Sequence, residues 1–363
     1  MRKFIKRFLI TLNVVLVIAF LIGCLLPWLS PEYFWLFGFI GFSFLYITLA
    51  LIVIILFWLF VKPKFSLCLL VILCCGYKQI NTLFAFNTNT VFNKNKPNNS
   101  LRLITWNVGN LSGKTQEKNA KQHRQNEICE AIISQNADVI CLQEFAEIRD
   151  ALPKTYTDLI KKYKYVYFPW WIVGPYRHRS GNVIFSKYPI VFSDSAAFNN
   201  GNIIVRADIV NDKSDTISFF TSHLDSYKFN KNEFEEIDGE KPNEEKIQEN
   251  WKQIIKKVRK TLQTHNEEAD VVINFMQQSK HSKVFCADLN EVPNNYIYWK
   301  LRGNKKDAFL EKGLGLGKTY NSLSTVNRID YIMPENNFTV HQFKINDNGL
   351  SDHAMLIADI ELK

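Results

Sequence analysis

Acidic residues are nearly missing from the first hundred positions, which carry nine Lys/Arg against Glu32 alone. Of the chain's 44 basic and 35 acidic side chains, residues 101–363 therefore hold 35 and 34. The net charge of +9 belongs to the N-terminal part, and the rest shows no overall attraction for a polyanion. Cysteine is sparse and lacks metal-ligand spacing. Cys24, Cys68, Cys74 and Cys75 sit in apolar runs, leaving Cys129, Cys141 and Cys286, an odd number that reads as small core residues. Internal repeats are absent. With 47% hydrophobic and 22% charged residues, the 363-residue chain is too apolar and too mixed to be disordered, collagen-like or a coiled coil.

Charge is also missing from two long runs. FLITLNVVLVIAFLIGCLL, residues 8–26, contains one Asn and no charge, a length that crosses about 30 Å of hydrocarbon. Arg2, Lys3, Lys6 and Arg7 would suit a signal peptide, but no small-residue cleavage site follows. The second run, residues 33–60, is also uncharged, and Trp28, Tyr33 and Trp35 supply an aromatic belt at its start. Neither run contains an acid or base that would mark a transport pathway. Spans are expected at about 8–26 and 36–60. A third segment, 65–86, has only Lys78 as a charge, but just 13 apolar residues precede it, so crossing and dipping are both open, with crossing preferred. Cations flank the outer ends of the first two spans, whereas the loop from Pro27 to Glu32 has none, which places that loop outside. If the third segment crosses, the rest of the chain lies on the outer side of the cytoplasmic membrane. The expected layout is a transmembrane region 1–86, an Asn-rich linker 87–100 and a domain 101–363.

Past the linker, short runs rich in β-branched residues alternate with helical patterns. Strands are expected over 101–106, 137–142, 182–185, 203–209, 216–221, 283–286, 328–332 and 354–360, and helices over about 116–135 and 243–279. Ile128, Ala131 and Ile132 give the first helix an apolar face; Trp251, Ile254, Ile255 and Val258 do so for the second. Strands outnumber helices, which predicts two packed sheets with helices outside.

Polar groups capable of chemistry stand where these strands end. Asn107 closes LRLITWN, Glu144 closes ADVICLQE, His223 closes SFFTSH, and Asp288 and Asn290 close KVFCADLN. Asp330 lies in RIDYIM, and Asp352 and His353 precede the last strand. Strand ends hold side chains rigidly yet leave them open to solvent, so these groups make a plausible convergent site. Carboxylates with Asn are oxygen donors suited to Mg²⁺ or Mn²⁺, and Glu144 is the candidate ligand. Such an ion polarises a phosphoryl oxygen, while Asp288 suits a base on water and Asp330 suits the orientation of His353. Each residue alone has a plainer role: a turn cap for Asn107, an Asx turn for Asn290, salt-bridge carboxylates for Glu144 and Asp330, a core imidazole for His223, an N-cap for Asp352. Their joint order along the chain outweighs those separate roles.

The segments TWN (105–107), LQE (142–144), GNVIFSKYPI (181–190), SHLDS (222–226), ADLN (287–290), RIDYI (328–332) and SDH (351–353) together resemble the endonuclease/exonuclease/phosphatase superfamily, the deoxyribonuclease I-like fold. The resemblance covers essentially all of 101–363. It implies an α/β protein, a four-layer α/β/β/α sandwich, here preceded by two to three N-terminal transmembrane helices. It also implies a metal site of Asn107 and Glu144 with Asp352, a phosphate-facing donor in His223, water-activating and transition-state positions in Asp288 and Asn290, and an Asp330 that orients His353. Two departures stand out: Ala287 replaces a common Gly, and Ala354–Met355 replaces an aromatic-Pro pair, which is expected to alter the rim near His353.

Substrates across the superfamily run from nucleic acids to inositol phosphates and sphingomyelin, so selectivity must lie in loops. In FPWWIVGPYRHR, residues 168–179, Trp170, Trp171 and Tyr176 suit stacking on a base, a bilayer interface or cover of the sandwich edge, and Arg177 suits a phosphate. Asn182, Tyr176 and Arg177 are the substrate-binding candidates. The expected function is a membrane-tethered, Mg²⁺- or Mn²⁺-dependent phosphoesterase, diester preferred over monoester, acting on a lipid head group, an inositol phosphate or nucleic acid. A nuclease and a catalytically inert membrane-anchored binding module are the alternatives. No protein partner is inferred.

Overall fold

The computed structural model describes residues 2–88, 91–109, 118–147, 154–169, 172–173, 178–229, 244–321 and 327–363. Its contacts group the chain into two units. One joins Met1–Leu83 with Asp225–Ala269 and Val292–Lys300; the other comprises Phe84–Leu224, Asp270–Glu291 and Leu301–Lys363. Two segments of the region expected as one domain over 101–363 therefore cluster with the N-terminal helices.

In the first unit, helix α1 (Arg2–Leu25) and helix α2 (Gly38–Val61) are joined by a short aromatic hairpin. Arg7–Trp28 and Pro31–Val61 are long and apolar enough to cross a membrane. Phe20 and Phe44 stack at 5.5 Å between the two helices, and Trp58 Nε1 donates to Asn13 Oδ1 at 3.3 Å nearer their other end. Lys62 terminates α2, and helix α3 (Pro63–Cys75) turns back along the pair. A 67° bend at Gly76 leads into helix α4 (Tyr77–Leu83), so this pair counts as a third span only if the bent pair is one span. A Cβ at Gly76 would lie 2.3 Å from the Phe20 ring, which only glycine avoids. Gln79 Nε2 donates to Cys24 O at 2.8 Å, so α4 reaches the hairpin end of α1.

The second unit is a sandwich. After β1 (Ala85–Phe86), the seven-stranded sheet takes β2 (Leu101–Asn107), β3 (Val139–Glu147), β4 (Tyr165–Tyr167), β5 (Ile172–Val173) and β6 (His178–Ser186). The five-stranded sheet takes β7 (Ile190–Ala197), β8 (Ile203–Val210), β9 (Thr216–His223), β10 (Ser282–Asp288) and, after β11 (Leu314–Gly315), β12 (Asp330–Pro334). Strands β13 (Phe338–Asn346) and β14 (Met355–Leu362) complete the first sheet at the edge beside β2. Period-2 alternation builds the layers. Leu101 and Leu103 of β2 join Phe219, Val284 and Cys286 in the core between the sheets, while Ile104 and Trp106 face helices α5 (Lys118–Ser134) and α6 (Lys154–Lys162). The C-terminal end of helix α7 (Glu244–Gln277) covers the opposite face, with Phe275 edge-on to Phe220 at 6.1 Å. The expected four layers are present. Sequence reading missed β7, with four exposed positions, and β13, where His341, Gln342 and Lys344 break the apolar alternation.

Candidate active site

Strand register brings the polar strand ends together. In the five-stranded sheet β9 and β10 run parallel with His223 opposite Asp288, and antiparallel β12 puts Asp330 opposite Asp288. In the other sheet, parallel β2 and β3 pair Asn107 with Gln143, and antiparallel β14 pairs Leu356 with Thr105. The Ser351–His353 turn therefore arrives at the Asn107 end of β2. Gln143 Nε2 donates to Thr105 Oγ1 at 2.9 Å and Thr221 Oγ1 at 2.8 Å, tying the two sheets behind that rim.

Asp288 occupies the centre. It has no solvent exposure, and its carboxylate accepts from Asn107 Nδ2 at 2.9 Å and from the Asn290 N–H at 3.0 Å. His223 Nε2 stands 3.5 Å and His353 Nε2 3.7 Å from its Oδ2. Asn290 adopts φ 49°, a left-handed conformation that Asn tolerates, and this turns its amide back to donate to Leu224 O at 2.9 Å beside His223 Nε2 at 3.1 Å.

Glu144 reaches the site through a β-bulge. The β3–β6 register slips between Leu142 and Phe145, and Glu144 takes φ 48°, costly for a long side chain and typical of functional positions. Its Oε1 accepts from Asn107 Nδ2 at 3.1 Å and lies 3.7 Å from His223 Nε2, while the side chain keeps 33% exposure. Asp352 lies beside the same loop: its Oδ1 accepts from Ser351 Oγ at 3.3 Å and would be 3.8 Å from a Cβ on Gly109.

His353 Nδ1 bonds both Asp330 oxygens, at 3.1 and 3.0 Å. Burial alone pulls this imidazole down, but Asp330, Asp288 and Asp352 outweigh it and push it up to about 10. Burial raises the Asp330 carboxyl, opposed by the His353 charge and reinforced by Asp288. The pair thus favours the charged imidazole, whose Nε2 stands 3.7 Å from Asp288 Oδ2. Two residues that sequence reading missed support it. Thr319 Oγ1 accepts from the N–H groups of Ile329 and Asp330 at 3.0 and 3.2 Å, and the Tyr320 ring lies 4.7 Å from the His353 ring. No spacing in GLGLGKTYN would have marked them, because the Tyr320–His353 bridge joins segments remote in sequence.

Other expected positions fall differently. Asn182 is 3% exposed and donates to Ile203 O in the facing sheet at 2.7 Å. Tyr176 and Arg177 lie outside the described residues, as do Trp170 and Trp171. Ala354 and Met355 are buried, Met355 within the core under α5. Ala287 is fully buried opposite Tyr331.

Asp288, Asp330 and His353 can each offer one ligand atom within 4.8 Å of the others. His353 Nδ1 is already engaged by Asp330, and all three are buried, so this trio suits a hydrogen-bonded relay. The half-exposed Glu144, beside Asn107 and with Asp352 nearby, offers the oxygen donors that fit a hard divalent cation.

Several solved structures share the fold. An endonuclease/exonuclease/phosphatase from Beutenbergia cavernae is 16% identical with a TM-score of 0.53, over 73% of this chain and 72% of that one. One from Bacteroides vulgatus is 17% identical, TM-score 0.52, over 73% and 99%. The human nocturnin catalytic domain, with a bound sulfate anion, is 16% identical, TM-score 0.51, over 74% and 97%. No curated protein matches the chain. A family model for a domain of unknown function matches residues 6–83. The model of the endonuclease/exonuclease/phosphatase family matches residues 104–353, from β2 through His353. With strand ends, layers and family model in agreement over more than half its length, the chain belongs to the endonuclease/exonuclease/phosphatase family.

Proposed function

We propose that the chain is a membrane-tethered, divalent-metal-dependent phosphoesterase, with phosphodiester cleavage preferred over monoester cleavage. Family members are phosphoester hydrolases that depend on a divalent metal. The observation that carries the reading is Asp288, fully buried and met by Asn107, Asn290, His223 and His353. In this reading Asp288 takes a proton from water as the water attacks phosphorus, the bond from phosphorus to the leaving alcohol oxygen breaks, and that oxygen takes a proton from His223 acting as acid. Asn107 and the Asn290 backbone hold that carboxylate in place, and the Asn290 amide and His223 stand beside it as donors to the phosphoryl oxygens. His353, protonated at neutral pH and fixed by Asp330, supplies a further charged donor from Nε2. Glu144, Asn107 and Asp352 would hold Mg²⁺ or Mn²⁺. That ion would supply Lewis-acid polarisation of a phosphoryl oxygen.

An outer location is supported by the flanking cations and by the first unit itself. Lys62 stands at one end of α2, whereas Asn294 donates to Gly23 O at 3.0 Å near the other. The segment 292–300 thus meets the hairpin end, whose loop Pro27–Glu32 carries no cation. The anchor is drawn from 1–86, with 87–100 as linker. The similar structures do not choose a substrate: they include a mannosyl-6-phosphatase from Bacteroides thetaiotaomicron beside nocturnin.

The test is ³¹P NMR of the full chain in nanodiscs with Mg²⁺, supplied in turn with nicked DNA, inositol phosphates and phospholipid, beside Asp288→Ala. A new phosphomonoester or inorganic phosphate signal that disappears in the variant is expected. Signal from DNA alone would make the protein a nuclease, and no Asp288-dependent signal from any substrate would make it an inert binding module.

A further inference from the structure

The first half of α7 is fastened to the membrane helices and also carries features that packing does not use. Ile254, Val258 and Leu262, each at most 3% exposed, cluster with Trp35, Phe39 and Phe42 at the start of α2. Gly38 admits the contact, since a Cβ there would lie 2.6 Å from Leu262 Cδ1. The Arg259 guanidinium lies over the Trp35 ring at 5.4 Å. This places the helix at the hairpin end of the span, the level of the aromatic belt.

Next to the packed stripe, one turn apart, Trp251 and Ile255 remain 46% and 39% exposed. The hairpin adds Trp28 and Tyr33, 67% and 74% exposed. From Asn250 to Asn266 the sequence has no acid and five cations, and Lys252, Lys256 and Lys260 recur every fourth residue along one exposed line. Among the described residues these three lysines form no salt bridge. Exposed aromatic and aliphatic residues along one edge, cations beside them, and attachment to a spanning helix are together the pattern of a helix lying in a bilayer interface.

We propose that residues 246–262 of α7 form an interfacial helix that seats on anionic phospholipid head groups, with Trp251 and Ile255 entering the acyl boundary and Lys252, Lys256 and Lys260 facing phosphate. The inference rests on the membrane reading of α1 and α2, and is independent of the hydrolase reading. A nucleic acid would employ the lysines but leave Ile255 bare.

The test uses the full chain in nanodiscs of phosphatidylcholine with or without phosphatidylglycerol, with p-benzoylphenylalanine placed at Trp251, Ile255 or the exposed Gln253 on the other side of the helix. After illumination, covalent lipid adducts are expected at 251 and 255 well above those at 253, and more with phosphatidylglycerol. The variant K252Q/K256Q/K260Q should abolish the phosphatidylglycerol enhancement, and each single Lys→Gln variant should lower it by about fivefold, the worth of about one cation at an anionic surface. Equal adducts at all three positions, none at any, or no dependence on phosphatidylglycerol overturns the proposal. Capture of an added DNA oligonucleotide in place of lipid would assign the face to nucleic acid. Failure of the chain to insert into nanodiscs would overturn the membrane reading and this inference with it, whereas lost hydrolysis with intact lipid adducts would count against the hydrolase reading alone.

Discussion

Burying a carboxylate is costly unless donors meet it, and Asp288 is met on several sides. Asp288→Ala should lower turnover at least about a hundredfold, on the scale of a lost general base; near-normal turnover would remove Asp288 from the reaction. Thr319 acts one step away from it. Thr319→Val leaves two buried N–H groups without their acceptor, and should cost about 1–3 kcal/mol of stability as well as turnover, read from thermal melts in detergent beside initial rates. Glu144 tests the ion. After chelation, Mg²⁺ or Mn²⁺ should restore hydrolysis, and Glu144→Gln should raise the Mg²⁺ concentration for half-activation by at least about tenfold. Restoration by Zn²⁺ alone would count against an oxygen-ligand site.

Elements carry these residues, and two of them show how. Across β2 and β14, Arg102 opposes Asp359 and binds it through two hydrogen bonds of 2.8 and 2.9 Å, both side chains buried. Removing one partner of such a pair strands the other, so Arg102→Met should destabilise the sandwich by about 3–5 kcal/mol, and adding Asp359→Leu should recover much of that loss. Denaturation midpoints of the two variants decide it. Helices α3 and α4 bear on topology. They leave Lys62 and reach the opposite end of α1, so a phosphatase reporter fused after Ser100 is expected to be active and one fused after Lys64 inactive. A stably expressed but inactive Ser100 fusion would put the domain in the cytoplasm.

At the scale of the whole molecule, the contact-defined units cut across the sequence-defined ones. His223 and Asn290 stand just upstream of Asp225–Ala269 and Val292–Lys300, the two segments that cluster with the N-terminal helices. A fragment 97–363 would therefore bare Ile254, Val258 and Leu262, whose packing partners include Trp35, Phe39 and Phe42. It should aggregate or oligomerise when freed of detergent, and a monodisperse monomer by light scattering would show that the region folds alone. The layers and most residues of the candidate site were legible in the sequence, because period-2 alternation and uncharged runs are local signals and the polar residues sit at strand ends. Asn107, Glu144, His223, Asp288, Asn290, Asp330 and His353 were all legible in this way, and the structure gathers them. The bulge that turns Glu144 inward, the support from Thr319 and Tyr320, and the seating of α7 on the start of α2 were decided only by tertiary structure. Each depends on register, positive φ or contact between segments far apart in the chain, and no local pattern encodes those.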